Sequence, residues 1–145
     1  MTTYRVVRRQ YANLSGDGAR RYGGRFNPPG IPAIYTSQSI ALALLEILVH
    51  IDKTEVPGDY VVMAIRFNGR SVARRAGPDS ANIKQLTIPQ FIDSFYQRPV
   101  LRVPSVIVPQ EYNFILFPEA TGFEANVASI DLLNFDRRLF SKIES

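Results

Sequence analysis

The stretch Pro32–His50, PAIYTSQSIALALLEILVH, holds one strand signal followed by one helix signal. Its first five residues form a short apolar run, which predicts a buried strand. Its end, Ile40–His50, is apolar almost all round, which predicts a buried helix. Ser37 or Ser39 can cap the first turn of that helix. The exception to the apolar pattern is Glu46, a carboxylate in the middle of the helix.

Strand signals outnumber helix signals along the rest of the chain. Leu14–Gly24 holds four glycines and predicts a loop, and residues 71–85 predict irregular structure. Thr87–Gln90 resembles a capping box that opens a short helix to about Gln97. The tail, Ile130–Phe140, predicts a strand or a short helix. The other predicted strands are Tyr4–Arg8, Tyr60–Phe67, Val100–Val108, interrupted by Pro104, and Asn113–Phe117.

The helices do not alternate regularly with the strands, which favours an α+β fold with a mixed central sheet over a doubly wound one. The 145 residues are the length of one ordinary domain, so residues 1–145 are predicted to form a single compact domain.

The composition excludes several classes of protein. Hydrophobic residues make up 46% and charged residues 21% of the chain, which is typical of a soluble globular protein. The absence of cysteine excludes disulfide scaffolds, thiolate metal sites and cysteine nucleophiles, and the single histidine, His50, makes a metal site a poor expectation. There is no signal-like or membrane-spanning apolar segment. These features predict a cytoplasmic protein without a bound metal.

The charge is unevenly distributed, although the net charge is only +4. Residues 1–25 carry six arginines against one aspartate, whereas Val103–Asp136 holds five acidic residues and no basic one. Arginine outnumbers lysine fourteen to three, which favours bidentate contacts to phosphate or carboxylate. A basic surface without a ligand, an anionic ligand, nucleic acid and an acidic partner protein all fit this pattern.

Glu46 has two interpretations. A carboxylate inside an apolar helix is costly unless something pairs with it. Glu46 and His50 stand four residues apart, so they could form a weak pair on a solvent-facing side of the helix. Alternatively Glu46 lies in a pocket, where it could act as a base or stabilise a cationic transition state.

Three further positions are candidates for ligand contacts. Gly23 and Gly24 allow a close backbone approach, and Arg25 directly after them could be aimed at a phosphate; the alternative is a turn with a solvated arginine. Tyr35 is either a core aromatic with a satisfied hydroxyl or a ring that stacks on a ligand. Ser105, after Pro104, could present its hydroxyl to a phosphate or be satisfied by backbone.

A local basic cluster in the middle of the chain is the feature that most resembles a nucleic-acid footprint. It is either a solvated edge or a contact surface for nucleic acid. The cluster consists of Arg66, Arg70, Arg74 and Arg75.

Several of these stretches, in this order, resemble the RES domain family. An opening Tyr4-Arg5-Val6 and an ending Arg138-Leu139-Phe140 are similar to the two ends of that family. The resemblance therefore covers essentially the whole chain. The internal stretches that carry it are Gly23–Asn27 (GGRFN), Gly30–Thr36 (GIPAIYT), Ala41–His50 (ALALLEILVH), Leu101–Pro109 (LRVPSVIVP) and the Glu111–Asn113 that follows.

The arginine, glutamate and serine for which the family is named fall on Arg25, Glu46 and Ser105. The chain departs from the family pattern at Phe26, where tryptophan is usual, and over residues 71–98, which match poorly. It also lacks the usual tryptophan before the Val-Pro-Ser motif and the usual His-Pro after the asparagine-containing strand. The walls of the site in those regions are therefore not predicted.

The resemblance implies a fold similar to that of ADP-ribosyltransferases and a toxin of a bacterial toxin–antitoxin pair. Its partner is expected to be an Xre-type antitoxin, through which it contacts DNA only indirectly, and a homo-oligomer can form within the complex. Family members degrade NAD with inorganic phosphate or water as acceptor. NAD and phosphate are thus expected as substrates, with no bound cofactor.

The resemblance also implies roles for individual residues. Glu46 is expected to hydrogen-bond the nicotinamide ribose and stabilise the oxocarbenium-like cation that forms there. Arg25 is expected to hold a phosphate, and Tyr35 to lie against the nicotinamide or its ribose. Ser105 is expected to support the phosphate subsite or orient Glu46. Weaker candidates for contacting the substrate are Arg5, Ser37 and Asn113, and His50 is expected to be a helix-face residue.

Other functions are compatible with the sequence. ADP-ribosylation of a macromolecule would use the same site. A nucleic-acid-binding module would use the basic segments and would show a steep dependence on salt, but it would leave Glu46 unexplained. In an inert interaction domain, the ordered set of candidate residues would be a coincidence.

Overall fold

The computed structural model describes residues 1–74 and 82–140. Its helices are α1 (Asp17–Tyr22), α2 (Ile40–Leu48) and α3 (Ile88–Phe95). Its strands form one sheet in the order β4-β5-β6-β2-β1-β3-β7. They are β1 (Thr2–Arg8), β2 (Ile34–Ser37), β3 (Tyr60–Phe67), β4 (Val72–Arg74), β5 (Val100–Pro104), β6 (Tyr112–Leu116) and β7 (Ala125–Leu133).

The sheet is mixed, because β4 and β5 pair in parallel while the other neighbours pair antiparallel. With few helices beside it, this confirms the predicted α+β class. No helix within the two described ranges is long and apolar enough to cross a membrane.

The sheet consists of two halves that meet at a narrow seam. Strands β1 and β2 share a single register pair, Tyr4 with Ser37, whereas β1 pairs with β3 along its whole length. At the seam the buried hydroxyls of Thr3 and Thr36 lie 2.6 Å apart, and Thr36 donates to the carbonyl of Phe114 at 2.7 Å. The two halves, β4-β5-β6-β2 and β1-β3-β7, are thus joined by few bonds, and the space beside the seam is open to a ligand.

Helix α2 packs across the seam. Ser39 is the residue that caps it, accepting from the backbone N–H of Leu42 at 3.1 Å, and the helix ends two residues before the predicted end. Ala43 and Leu48 are buried in a cluster that includes Val6 of β1. The apolar side of α2 therefore holds the helix against the sheet, as its sequence predicts.

Three other predicted elements are confirmed. The strand β3 has the predicted bounds, and β6 begins and ends one residue earlier than predicted. Helix α3 opens with the predicted capping box, in which Thr87 accepts from the N–H of Gln90 while the Gln90 side chain accepts from the N–H of Thr87. Local chemistry at Thr87 and Gln90 thus sets the start of this helix.

The prediction of a loop over Leu14–Gly24 is wrong, because α1 lies inside it. Gly16 precedes the helix in a left-handed conformation with φ +67°, and Gly23 ends it with φ +74°. Asp17 lies in the first turn and pairs with Arg20 at 3.0 Å. The glycines therefore flank a short helix rather than prevent one.

The strand predicted over Val100–Val108 ends at Pro104. The chain turns after it, since the hydroxyl of Ser105 accepts from the N–H groups of Ile107 and Val108 at 3.1 Å each. Those side-chain bonds take the place of ladder bonds and stop the strand.

Two other segments are more regular than predicted. Part of the stretch predicted to be irregular is β4, followed after a gap by a 3-10 turn at Ile83–Gln85; residues 75–81 of that prediction lie outside the described residues. In the tail, β7 starts at Ala125, five residues before the predicted strand, and a 3-10 turn at Arg137–Leu139 follows it.

Candidate active site

A cavity of about 520 Å³ lies beside the seam, a size typical of small-molecule sites. Its walls come from both halves of the sheet, from α2 and from the turn after α1. Ser105 lies behind this wall. The structure brings together the other six candidate residues, which all line the cavity: Arg5, Arg25, Tyr35, Ser37, Glu46 and Asn113.

The carboxylate of Glu46 is fixed by donors from two distant parts of the chain. Its Oε2 accepts from the Ser105 hydroxyl at 2.9 Å and from the Asn113 side-chain amide. The Ser37 hydroxyl in turn donates to Asn113 Oδ1 at 2.8 Å, which orients the amide. Both bonds reach the same oxygen, and no side chain within the described ranges donates to Oε1. Glu46 is thus held in one orientation with one oxygen left for a ligand.

This network decides between the two interpretations of Glu46. The residue is half-buried in the cavity wall and forms no ion pair with His50 in the described part of the chain. His50 itself is exposed at the edge of the cavity, just beyond α2. Glu46 therefore belongs to a pocket and not to a solvent-facing pair.

Ser105 is a buried residue, with 2% of its surface exposed. Its hydroxyl donates to Glu46 and accepts from the two amides of the following turn. With its proton and lone pairs engaged, Ser105 is built to orient Glu46. Of the two roles predicted for it, direct support of a phosphate is the one that this geometry does not favour.

Arg5 brings an unbalanced positive charge into the cavity. Burial lowers the pKa of Arg5 to about 10, because a buried guanidinium loses the hydration of its charged form. Its Nη1 donates to the carbonyl of Tyr11 at 3.3 Å, and no carboxylate pairs with it among residues 1–74 and 82–140. The site therefore favours an anionic ligand.

Arg25 stands at the tip of a tight turn, Gly24–Asn27, which two backbone hydrogen bonds close. The residue is exposed at the cavity edge. Its charge is also felt by Tyr35: burial raises the pKa of Tyr35 well above the usual range, while the N–H of Phe26 and the positive charge of Arg25 oppose that rise. Arg25 and Tyr35 both line the cavity.

Tyr35 has features of both predicted roles, the aromatic with a satisfied hydroxyl and the ring that faces a ligand. Its ring lines the cavity, but its hydroxyl is satisfied, because it donates to Asn27 Oδ1 and accepts from the N–H of Phe26 at 3.0 Å. Only the ring is therefore available to a ligand.

Sequence reasoning missed Asn27 and Tyr4. Asn27 is fully buried behind the turn, and the sequence analysis included it only as the last residue of the family-like stretch Gly23–Asn27. Tyr4, which lines the cavity, was assigned to a strand and to the family-like opening of the chain, but not to the site. The signal for Asn27 was the asparagine itself, since a polar side chain beside two glycines and an arginine often holds a loop through its own hydrogen bonds.

The basic cluster predicted from the sequence lies outside the cavity, and the described residues form no metal-binding group. Arg66, Arg70 and Arg74 are exposed and none of them lines the cavity; Arg75 lies outside the described residues. In the part of the chain that the structure describes, no three His, Cys, Asp or Glu side chains lie where they could hold a metal ion.

Known proteins resemble this chain over most of its length. The protein named Toxin Res from Yersinia enterocolitica is 31% identical over 93% of this chain and 95% of its own. The Prs ADP-ribosylating toxin from a Sphingobium strain is 32% identical over 78% of this chain and 79% of its own. A shorter match of 47 residues, 47% identical, relates 32% of the chain to 25% of the NAD(+) phosphorylase MbcT of Mycobacterium tuberculosis.

The fold has a counterpart among solved structures. A chain of the M. tuberculosis MbcT–MbcA toxin–antitoxin complex matches with a TM-score of 0.66 over 92% of this chain and 84% of that chain, at 20% identity. At that identity the likeness concerns the fold. The RES domain matches residues 2–138 of the sequence, and on that match and the Yersinia relative this chain belongs to the RES domain family.

Proposed function

We propose that the protein is the toxin of a toxin–antitoxin pair and that it depletes NAD by cleaving the bond between nicotinamide and ribose. The observation that carries the proposal is the Glu46 carboxylate, held by Ser105 and Asn113 in a cavity that also contains two guanidinium groups. The names of the relatives, which include a NAD phosphorylase and an ADP-ribosylating toxin, support the same substrate.

The reaction needs a site that stabilises positive charge. As the C1′–N bond breaks, its electron pair stays on the nicotinamide nitrogen, which leaves neutral, and the ribose becomes an oxocarbenium-like cation. The Glu46 carboxylate is already oriented by Ser105 and Asn113, so it can stabilise that cation without reorganisation. An oxygen of inorganic phosphate or of water then bonds to C1′, and the proton of the attacking group passes to solvent. No step requires a bound cofactor.

Arg5 and Arg25 bind the phosphates of the substrate in this proposal. Arg5 is a half-buried cation without a carboxylate partner in the described residues, and Arg25 stands at the mouth of the cavity. A pyrophosphate placed between them would pair with the Arg5 guanidinium, for which residues 1–74 and 82–140 provide no carboxylate. The Tyr35 ring is available to the nicotinamide or its ribose.

We also propose an Xre-type antitoxin as the partner in the cytoplasm. It would cover the cavity, and an acidic or carboxylate-terminated segment would match Arg5 and Arg25. Any contact with DNA would then pass through the antitoxin, and copies of the chain would meet within that complex.

A direct assay tests the proposed function. The purified chain, free of any antitoxin, is incubated with NAD in the presence and absence of inorganic phosphate, and products are identified by mass spectrometry. We expect nicotinamide in both cases or only with phosphate, together with ADP-ribose phosphate for a phosphorylase or ADP-ribose for a hydrolase. Intact NAD in both tubes, from protein shown to be folded, would overturn the proposal.

ADP-ribosyl transfer to a protein is the second candidate, because a relative covering most of the chain is named an ADP-ribosylating toxin. The same assay separates it when cell extract is added. Release of nicotinamide that depends on the extract, with a mass increase on an acceptor protein, would favour transfer over NAD depletion.

Replacing Arg5 by methionine should separate binding from stability. We expect Arg5→Met to weaken NAD binding about 10- to 100-fold, because hydrogen bonds from a charged donor are lost. The same change should leave the free energy of unfolding unchanged or raise it by about 1 kcal/mol, because a half-buried cation with no carboxylate partner among the described residues is removed. Calorimetric titration with NAD and thermal unfolding measure the two effects. A variant that binds NAD as the wild type does would exclude Arg5 from the site.

A further inference from the structure

Side-chain hydrogen bonds from Asn27 and Tyr35 hold the turn that carries Arg25. Gly24 and Asn27 close it with backbone bonds of 2.9 and 3.4 Å, and Arg25 and Phe26 form its tip. The Phe26 side chain is buried in the core with Ile31. Phe26 thus holds the tip of the turn in the core, and both tip residues contribute to the cavity wall.

Asn27 connects this turn to its surroundings. The residue is fully buried, and its amide donates to the carbonyls of Ala19 and Ile31 at 2.9 Å each. Its Oδ1 accepts from the Tyr35 hydroxyl. A buried side chain that uses both its donor group and its acceptor in this way fixes the backbone around it.

The Tyr35 hydroxyl completes the arrangement. It donates to Asn27 and accepts from the N–H of Phe26, directly after Arg25. Burial raises the pKa of Tyr35, so its proton remains available to Asn27 at physiological pH. The packing around Gly24 is tight, because a Cβ on Gly24 would lie 2.5 Å from the Tyr35 hydroxyl and 2.8 Å from Asn27 Oδ1.

We propose that Asn27 and the Tyr35 hydroxyl are positioning residues that act through Arg25: they fix the Gly24–Asn27 turn so that the guanidinium meets a phosphate group of the substrate. This inference rests on the proposed function for the identity of the substrate. It assigns the hydroxyl of Tyr35 to the turn, while the ring remains part of the cavity wall.

A double-mutant cycle tests this coupling. Tyr35→Phe removes the hydroxyl and keeps the ring. We expect it to raise the KM for NAD about 10-fold and to change kcat less than about 3-fold. The lost hydrogen bond fixes the position of a charged group, and the loss of one such bond weakens binding about 10-fold. In an Arg25→Ala background, the same change should raise KM less than about 2-fold, since the group on which it acts is gone.

Tyr96→Phe is the matched control. The Tyr96 hydroxyl is also buried and has no hydrogen-bond partner among the described residues, and it lies outside the cavity. Its removal should leave KM and kcat unchanged in both backgrounds. An equal KM increase for Tyr35→Phe in both backgrounds would overturn the coupling, because the hydroxyl would then act independently of Arg25.

A second measurement does not depend on NAD. Hydrogen exchange of the Phe26 amide, followed by NMR, should be about 10-fold faster in Tyr35→Phe than in the wild type, because its acceptor is lost. Unchanged exchange would overturn the positioning role even if NAD is cleaved. Faster exchange in a protein that neither binds nor cleaves NAD would overturn the proposed function while leaving the hold on the turn intact.

Discussion

Glu46→Gln is expected to lower the turnover of NAD about 1000-fold while NAD binding changes only a few-fold. The glutamine oxygen can replace Oε2 and accept from Ser105 and Asn113, so the local structure and the cavity should persist. The amide then presents NH2 where the free carboxylate oxygen stood. A neutral group with a positive edge cannot stabilise a developing cation, and loss of a preorganised electrostatic contact costs about 10²- to 10³-fold in rate.

The measurement pairs kcat from product release with a dissociation constant from calorimetry. Glu55→Gln is a suitable control, because Glu55 is exposed and does not line the cavity. It makes the same chemical change on the surface and should leave both quantities unchanged. Wild-type turnover in Glu46→Gln would exclude Glu46 as the stabilising group, and a large loss of affinity would assign it to substrate binding instead.

Arg25→Ala is expected to raise the KM for NAD about 100-fold and to lower kcat/KM by at least that factor. A guanidinium can make paired, charge-assisted hydrogen bonds to phosphate, and losing them removes about 2 to 3 kcal/mol of binding. Arg25→Lys should recover part of this, because lysine keeps the charge but lacks the planar pair of donors.

Arg21→Ala is the matched control for this variant. Arg21 lies four residues before Arg25, is exposed in α1 and does not line the cavity. Its loss lowers the net charge equally, so any general attraction of the basic N-terminal segment for NAD appears in both variants. Equal KM values for the two variants would show that Arg25 contributes only bulk charge, and its assignment to a phosphate would fail.

Local chemistry explains which parts of the fold were predictable. The cap at Ser39 and the capping box at Thr87 act within four residues, so the sequence predicts the starts of α2 and α3. The start of β7 was missed because it depends on pairing with β3, about sixty residues earlier, as the register of Phe67 with Ala125 shows. Small and polar residues in β7 carry little strand signal of their own.

In the candidate site, too, local features were predictable from the sequence and long-range contacts were not. Glu46 was identifiable from sequence because it interrupts an apolar helix. Ser105 was singled out as a serine after a proline, and Asn113 by family resemblance alone; neither was linked to Glu46 by pattern, since no spacing rule connects residues about sixty positions apart. The engagement of the Tyr35 hydroxyl was not predictable, because it depends on the geometry of a turn that closes around Asn27. Composition and periodicity therefore find an unusual residue but not its partners.

The cavity takes its walls from both halves of the sheet, so the order in which the ribosome makes the strands bears on when the site is complete. Arg5 belongs to the half formed by β1, β3 and β7, whereas Asn113 belongs to the half that β6 completes. Until β6 has been synthesised, the helix with Glu46 is present but the carboxylate lacks the Asn113 amide. The carboxylate and its full set of donors are therefore complete only after about three quarters of the chain has been synthesised.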